Sequence, residues 1–118
     1  MIDSKVIEAF QLMWGNFPDP ALLIHKNREI IALNEAGRKM GRVAGTICSS
    51  YGGPEAHRHC LANQALATGR PAFVKRKNGA RDRISYWLPL EGQPDLFVHF
   101  IVGAMVDYDA APEKAAGV

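Results

Sequence analysis

The chain lacks most of the features that mark specialised classes of protein. Only two cysteines occur in its 118 residues, which excludes the disulfide framework of small secreted domains. No stretch approaches the ~20 consecutive apolar residues of a membrane-spanning helix. The net charge is only +2, so the protein-wide positive field of many nucleic-acid-binding proteins is also missing. We therefore expect neither a membrane nor a nucleic acid as a partner.

The N-terminal residues do not show the basic and then apolar order of a secretion signal. We therefore predict a cytoplasmic location, where both cysteines stay as thiols. Glycine and proline number 11 and 7, too few to indicate disorder, and 47% of the residues are hydrophobic. These values predict a single globular domain with its own core.

Residues 1–16 are predicted to form an amphipathic helix that ends near Gly15. Asp3 and Ser4 precede the first apolar residues and are N-cap candidates. The apolar stripe of this helix consists of Val6, Ile7, Phe10, Met13 and Trp14. Such a stripe needs a surface to cover, either the sheet of the same chain or that of a second subunit.

A hairpin and a short helix are predicted next. Residues 21–24 and 29–33 are short apolar runs of strand type, and the polar residues 25–28 separate them as a turn. Asn34 then caps a helix over residues 35–40 by accepting hydrogen bonds from free amides of its first turn.

The segment 46–73 contains both cysteines and two of the four histidines, so any chemistry is expected there. A long helix is predicted over residues 55–68 within this segment. It begins after Pro54, which suits a first helical turn, and ends at Gly69, with Pro71 preventing continuation.

Three strands are predicted at residues 72–77, 83–90 and 96–106, the first two joined by an Asn78-Gly79 turn. The last strand is apolar at both odd and even positions, so both of its faces should be covered. We expect helices against one face of the sheet and the N-terminal helix against the other. A homodimer is expected if that helix, or the outer sheet face, serves two subunits.

A basic cluster marks the hairpin between the first two of these strands. Its five members are Lys75, Arg76, Lys77, Arg81 and Arg83. Charged side chains are common on exposed hairpins, where they prevent edge-to-edge association. We interpret the cluster as a solvent-exposed surface.

In the order of its elements the sequence resembles PAS domains over residues 17–108. The segment 17–41, FPDPALLIHKNREIIALNEAGRKMG, is similar to the opening hairpin and first helix of the family. The segment 65–71, ALATGRP, is similar to the end of its long helix, and Asp107 matches the start of its Asp-Ile-Thr exit motif. The resemblance implies an α+β fold with a five-stranded antiparallel sheet. Residues 109–118 would be a tail or linker.

The resemblance implies a sensory or signalling module rather than an enzyme. Such a module would bind a small ligand or cofactor between the long helix and the sheet. It would relay that state through dimerisation or through an effector domain. The sequence contains no effector, so the chain would act on a separate partner or be a piece of a longer protein. A ligand-free interaction module that dimerises is the alternative.

The resemblance also implies where a cofactor would bind. In haem-binding members an axial histidine lies on or near the long helix, and His57 and His59 match that position. Apolar side chains of the last strands, such as Ile84 and Val98, would enclose the cofactor. The cofactor-binding residues predicted in this way are Tyr51, His57, His59, Tyr86, Leu88 and Phe100.

A metal or redox site is a further alternative. Some PAS-like domains carry a cysteine cluster before the long helix, and Cys48 and Cys60 match part of it. His57 stands where an inner cysteine would be, so four-thiolate iron–sulfur ligation is excluded within one chain. The mixed set Cys48, His57 and Cys60 remains, with water, His25 or His99 as a fourth ligand. Otherwise Cys60 is a buried thiol beside solvent-exposed histidines.

Catalysis has little support in the sequence. Tyr51, His57 and Cys60 could serve as nucleophile and base, but no residue is identifiable as the orienting acid. No phosphate-binding glycine loop or paired-carboxylate motif is present. We therefore predict that the chain is not an enzyme.

Overall fold

A computed structural model of the chain describes residues 2–50, 60–78, 81–104 and 106. The predictions for Tyr51, His57, His59, Asp107 and the tail at 109–118 lie outside these residues.

The described elements follow the predicted order of one helix, two strands, further helices and three strands. They are α1 (Ser4–Trp14), β1 (Ala21–His25), β2 (Ile30–Leu33), α2 (Glu35–Lys39), a 3₁₀ turn (Cys48–Ser50), α3 (Ala62–Thr68), β3 (Ala72–Asn78), β4 (Arg81–Leu90) and β5 (Gln93–Val102). The strands form one five-stranded antiparallel sheet in the order β2-β1-β5-β4-β3. The α+β prediction with a five-stranded antiparallel sheet is confirmed. No helix in the described ranges is long and apolar enough to cross a membrane.

Both faces of the sheet carry a core, as the two apolar faces of β5 predicted. On the face toward α3, here called the inner face, Leu22, Trp87 and Phe97 pack against Ala62 and Ala65 of that helix. The opposite, outer face lies under α1, and its buried members are Phe10, Ala21, Leu23, Ala32, Leu96 and Val98. Helices therefore cover the sheet on both sides, as predicted.

The N-terminal helix α1 lies on the sheet of its own chain. Asp3 caps it by accepting a hydrogen bond from the amide of Lys5 at 2.9 Å. Phe10 is buried and Trp14 packs against the outer core, but Met13 is 75% exposed. The predicted burial of Met13 is wrong. Residues on a helix are about 100° apart, so the sheet covers an arc through Phe10 and Trp14 that leaves Met13 outside.

The helix α3 begins later than predicted. Leu61 is its N-cap, and Cys60 precedes it, so the prediction that Cys60 lies on the helix is wrong. Within the helix, Ala62 and Ala65 are fully buried in the inner core. Its predicted end is confirmed, with Gly69 as a left-handed C-cap at φ 66°.

The strand β5 begins three residues earlier than predicted and ends at Val102 rather than at residue 106. The sequence predicted a five-residue turn over residues 91–95. Glu91 and Gly92 alone make the turn, because Gly92 takes a φ of 77° that other residues rarely adopt.

Candidate ligand-binding cavity

A cavity of about 250 Å³ lies against the inner face of the sheet. The 3₁₀ turn and the residues that lead into α3 form one side of it, with Cys48, Cys60 and Ala62. The strands form the other side, and the apolar and aromatic side chains there include Leu22, Val74, Trp87 and Phe97. The sequence predicted a pocket between the same helix and the last three strands.

Strand alternation brings polar groups into this cavity. Ser85 and Trp87 point inward from β4, and His99 points inward from β5. Trp87 and His99 are register partners, and their rings stack with centroids 4.8 Å apart. His99 Nδ1 lies 2.9 Å from the carbonyl oxygen of Tyr86, which can only accept, so Nδ1 carries the proton. This hydrogen bond fixes the orientation of the imidazole.

Four arginines of the described segments line the cavity. Arg76 and Arg83 come from opposing positions of β3 and β4, whereas Arg28 and Arg42 come from the loops on the other side. Arg28 donates to the carbonyl of Lys26 at 2.7 Å, and its guanidinium carbon lies 5.6 Å from the centre of the Phe97 ring. The described lining residues include no aspartate or glutamate, so no carboxylate among them neutralises this positive charge.

Arg42 and Arg83 differ in their partners. Arg42 donates from Nη1 to the carbonyl of Met40 at 3.1 Å. The Nε of Arg83 is buried and has no hydrogen-bond partner among the described residues. Buried N–H groups are nearly always paired, so this donor lacks an expected acceptor.

Both cysteines lie at this cavity. Cys48 is half-buried and Cys60 is exposed. The pKa of the Cys48 thiol is raised, mainly by burial and secondly by the nearby Cys60. The positive charges of Arg28 and Arg42 lower it, but by less. Cys48 is therefore a protonated thiol at neutral pH, and protonated thiols are poor nucleophiles and poor metal ligands.

The predicted metal set is only partly described. No group of three or more histidine, cysteine, aspartate or glutamate side chains that could hold a metal occurs within the described ranges. His57 lies outside them, so ligation by Cys48, His57 and Cys60 stays a prediction. Of the two suggested additional ligands, His99 lines the cavity. His25 instead accepts a hydrogen bond from the amide of Asn27 in the β1–β2 turn.

The described residues predicted to bind a cofactor lie on the outer face of the sheet. Tyr86 stacks on Phe100 with ring centroids 4.7 Å apart, and Phe100 contacts Trp14 of α1 at 4.9 Å. Leu88 packs in the same outer core. They therefore do not line this cavity. The apolar side chains of β4 face α1, whereas the alternate positions of the strand, which are polar or amphipathic, face α3. Their role in haem binding, with that of His57 and His59, stays an untested prediction.

The sequence interpretation missed the arginines, Ser85 and Trp87 as cavity residues, and it named His99 only as an additional metal ligand. It assigned Arg76 and Arg83 to a solvated hairpin. Arg76 is exposed, as predicted, and Arg83 is half-buried, but both also line the cavity. A signal for the inner face was present, since Arg83, Ser85 and Trp87 alternate along one strand with polar or amphipathic groups. Such a set on a covered face is typical of a binding site rather than of a core.

The sequence matches no family model and no curated protein. Solved structures are similar in fold. The PAS domain of Bordetella pertussis BvgS is 16% identical with a TM-score of 0.64, over 82% of this chain and 85% of that one. A sensory box sensor histidine kinase from Vibrio cholerae is 11% identical with a TM-score of 0.59, over 83% and 88%. A domain of an HTR-like protein from Haloarcula marismortui is 19% identical with a TM-score of 0.57, over 71% and 95%.

Proposed function

We propose that this chain, which has the fold of PAS domains, is a sensory or signalling module that binds a small ligand in the cavity on its inner face. The cavity of about 250 Å³ is the observation that carries the proposal. It combines an apolar wall with a few convergent polar side chains, which is the usual composition of a small-molecule site. Its volume corresponds to roughly eight water molecules at ~30 Å³ each, so the ligand is compact.

A relay of the bound state to a partner or effector domain is the second part of the proposal. The similar structures support it, because they include a sensor histidine kinase from Vibrio cholerae. The cavity also touches several elements at once, from Cys48 of the 3₁₀ turn to Ala62 of α3 and Trp87 of β4. A ligand that contacts all of them can change their relative stability according to its differential affinity.

Trp87 offers a direct test of ligand binding. It lines the cavity, whereas the chain's other tryptophan, Trp14, lies on the outer face. In a Trp14→Phe variant, a bound ligand should change the fluorescence of Trp87 and raise the melting temperature. The first step is a thermal-shift screen of small neutral and charged metabolites.

Ser85→Leu is the matched cavity variant, because Ser85 is buried and faces the cavity. It should abolish both responses by filling the space, while Ser49→Leu at an exposed site should retain them. The proposal fails if no compound produces a response, or if folded Ser85→Leu responds like the parent.

A ligand-free homodimer is the second candidate function. Large apolar side chains remain exposed on and near the outer side of the sheet: Leu12 at 86%, Met13 at 75% and Phe73 at 63%. Leu12 and Met13 are consecutive residues of α1, and an exposed apolar patch favours a protein–protein contact.

A further inference from the structure

We infer that the ligand of this cavity is a small anion, a carboxylate or phosphate compound, held by Arg76 and Arg83. The inference rests on the ligand-binding function proposed above and specifies its chemical class. The guanidinium group is the side chain best suited to such a ligand, because its fork of donors matches the oxygens of carboxylate and phosphate.

The pairing of the two arginines is unfavourable without an anion. Arg76 and Arg83 are direct register partners in the β3–β4 ladder and both line the cavity. Like charges placed directly opposite in a sheet repel each other. Asp82 is adjacent in sequence but lies on the outer face, where it pairs with Lys75 at 3.1 Å. The hairpin therefore places its carboxylate on one face and its paired arginines on the other.

The buried donor of Arg83 provides an independent argument. Its Nε has no partner within the part of the chain that the structure describes, although a buried N–H group without an acceptor is costly. A carboxylate or phosphate that binds Nε and Nη together would supply the missing acceptor. The ligand would thereby satisfy the donor and offset the repulsion from Arg76.

The opposite wall strengthens the positive potential. Arg28 and Arg42 line the cavity from the loops, and no carboxylate occurs among the described lining residues. Their hydrogen bonds to the backbone carbonyls of Lys26 and Met40 help to orient them. An anion in a partly enclosed cavity is screened less than one at the surface.

The experiment uses three probes of similar size and different charge. Malonate and inorganic phosphate are the anions, and malonamide is the neutral analogue of malonate. Binding is measured by calorimetry and by Trp87 fluorescence in the Trp14→Phe variant. We expect at least one anion to bind and malonamide not to bind. The stronger of malonate and phosphate identifies the carboxylate or the phosphate class.

Variants of the hairpin assign the binding to the arginine pair. Arg83→Gln should weaken anion binding at least tenfold, and Arg83→Lys should restore part of it because it keeps the charge without the fork. Lys75→Gln, on the outer face of the same hairpin, should leave the affinity unchanged. Without ligand, Arg83→Gln should raise the melting temperature, since it removes the repulsion. A purely structural arginine would lower it.

Two sets of results overturn the inference. The first is equal binding of malonamide and malonate, or unchanged anion affinity in Arg83→Gln. The second is a screen in which only neutral compounds change the melting temperature or the Trp87 fluorescence. That result would reject an anionic ligand but would still support the ligand-binding function. Absence of any response, to charged and neutral compounds alike, would reject the proposed function itself.

Discussion

At the scale of single residues, Asn34 shows how one polar side chain can organise several segments. It is fully buried. Its Oδ1 accepts from the amides of Gly37 at 2.9 Å and Ala21 at 3.0 Å. Its Nδ2 donates to the carbonyl oxygens of Trp14, Phe17 and Asp19. The sequence predicted the cap on α2, but the bonds to the connection after α1 depend on the folded chain.

The Cys48 thiol predicts a pH dependence of stability. Its native pKa is raised above the ordinary value of 9.0, mainly by burial, so the native state holds the proton more tightly than the unfolded state. The resulting stabilisation is complete below pH 9.0 and is lost as the pH rises through the raised native pKa. The measurement is urea unfolding under reducing conditions between about pH 8 and about pH 10.5. Over this range the free energy of unfolding should fall more steeply for the parent than for Cys48→Ser.

Cys60→Ser is the matched control. Cys60 contributes to the raised pKa of Cys48, but burial is the larger cause. This variant should therefore keep most of the parental pH dependence. Parallel curves for the parent and Cys48→Ser would show that the thiol does not contribute.

At the scale of elements, α1 is held by one narrow stripe. Within this stripe, Phe10 is buried at 4% exposure, and Val6, Ile7 and Trp14 of the same helix pack in the outer core with it. Leu12 and Met13 are on the solvent side. The helix therefore owes its position to a few contacts with β1, β2 and Phe100 of β5 rather than to its whole apolar content.

The two sides of α1 should respond differently to truncation. Phe10→Ala should lower the free energy of unfolding by about 3–5 kcal/mol, because it leaves a cavity in the outer core. Met13→Ala should change it by less than about 0.5 kcal/mol. Urea denaturation of the monomeric protein at low concentration measures both values. A similar loss in the two variants would contradict the described orientation of the helix.

At the scale of the whole molecule, the sheet has different partners on its two faces. The inner face holds the cavity, and the outer face is covered in part by α1. Phe73 and Val102 remain 63% and 38% exposed on β3 and β5. We therefore propose α1 and the exposed part of the outer face, rather than the cavity, as the surface for a second subunit.

Dimerisation through α1 can be tested without deleting the helix. Removal of α1 would uncover the outer core, so we prefer the double variant Leu12→Ser and Met13→Ser, whose side chains are already exposed. It should lower the mass seen by light scattering and leave the melting temperature nearly unchanged. Glu8→Ser, at another exposed position of α1, is the control. A monomeric parent at every concentration would contradict the dimer, and a dimeric double variant would exclude this surface.

Local chemistry explains the parts of the fold that the sequence predicted. Asp3 and Asn34 were recognised as caps because a side-chain acceptor next to free amides is a short-range feature. Gly69 was recognised as a helix end because glycine tolerates the left-handed conformation there. The strands followed from alternation, and the two apolar faces of β5 correctly required cover on both sides.

Only the tertiary structure decided which face holds the cavity. Side chains of a strand alternate between two faces, and when both faces are apolar the sequence does not show which helix covers which face. It therefore could not predict that Phe100 faces α1 and that His99 faces the cavity. The same ambiguity left Arg76 and Arg83 interpreted as part of a solvated hairpin, and the structure shows that they line a cavity together with Cys48 and Ala62 of α3. The sequence by itself determined the elements and their order, because backbone sterics act between neighbours. The site depends on contacts between residues far apart in the chain.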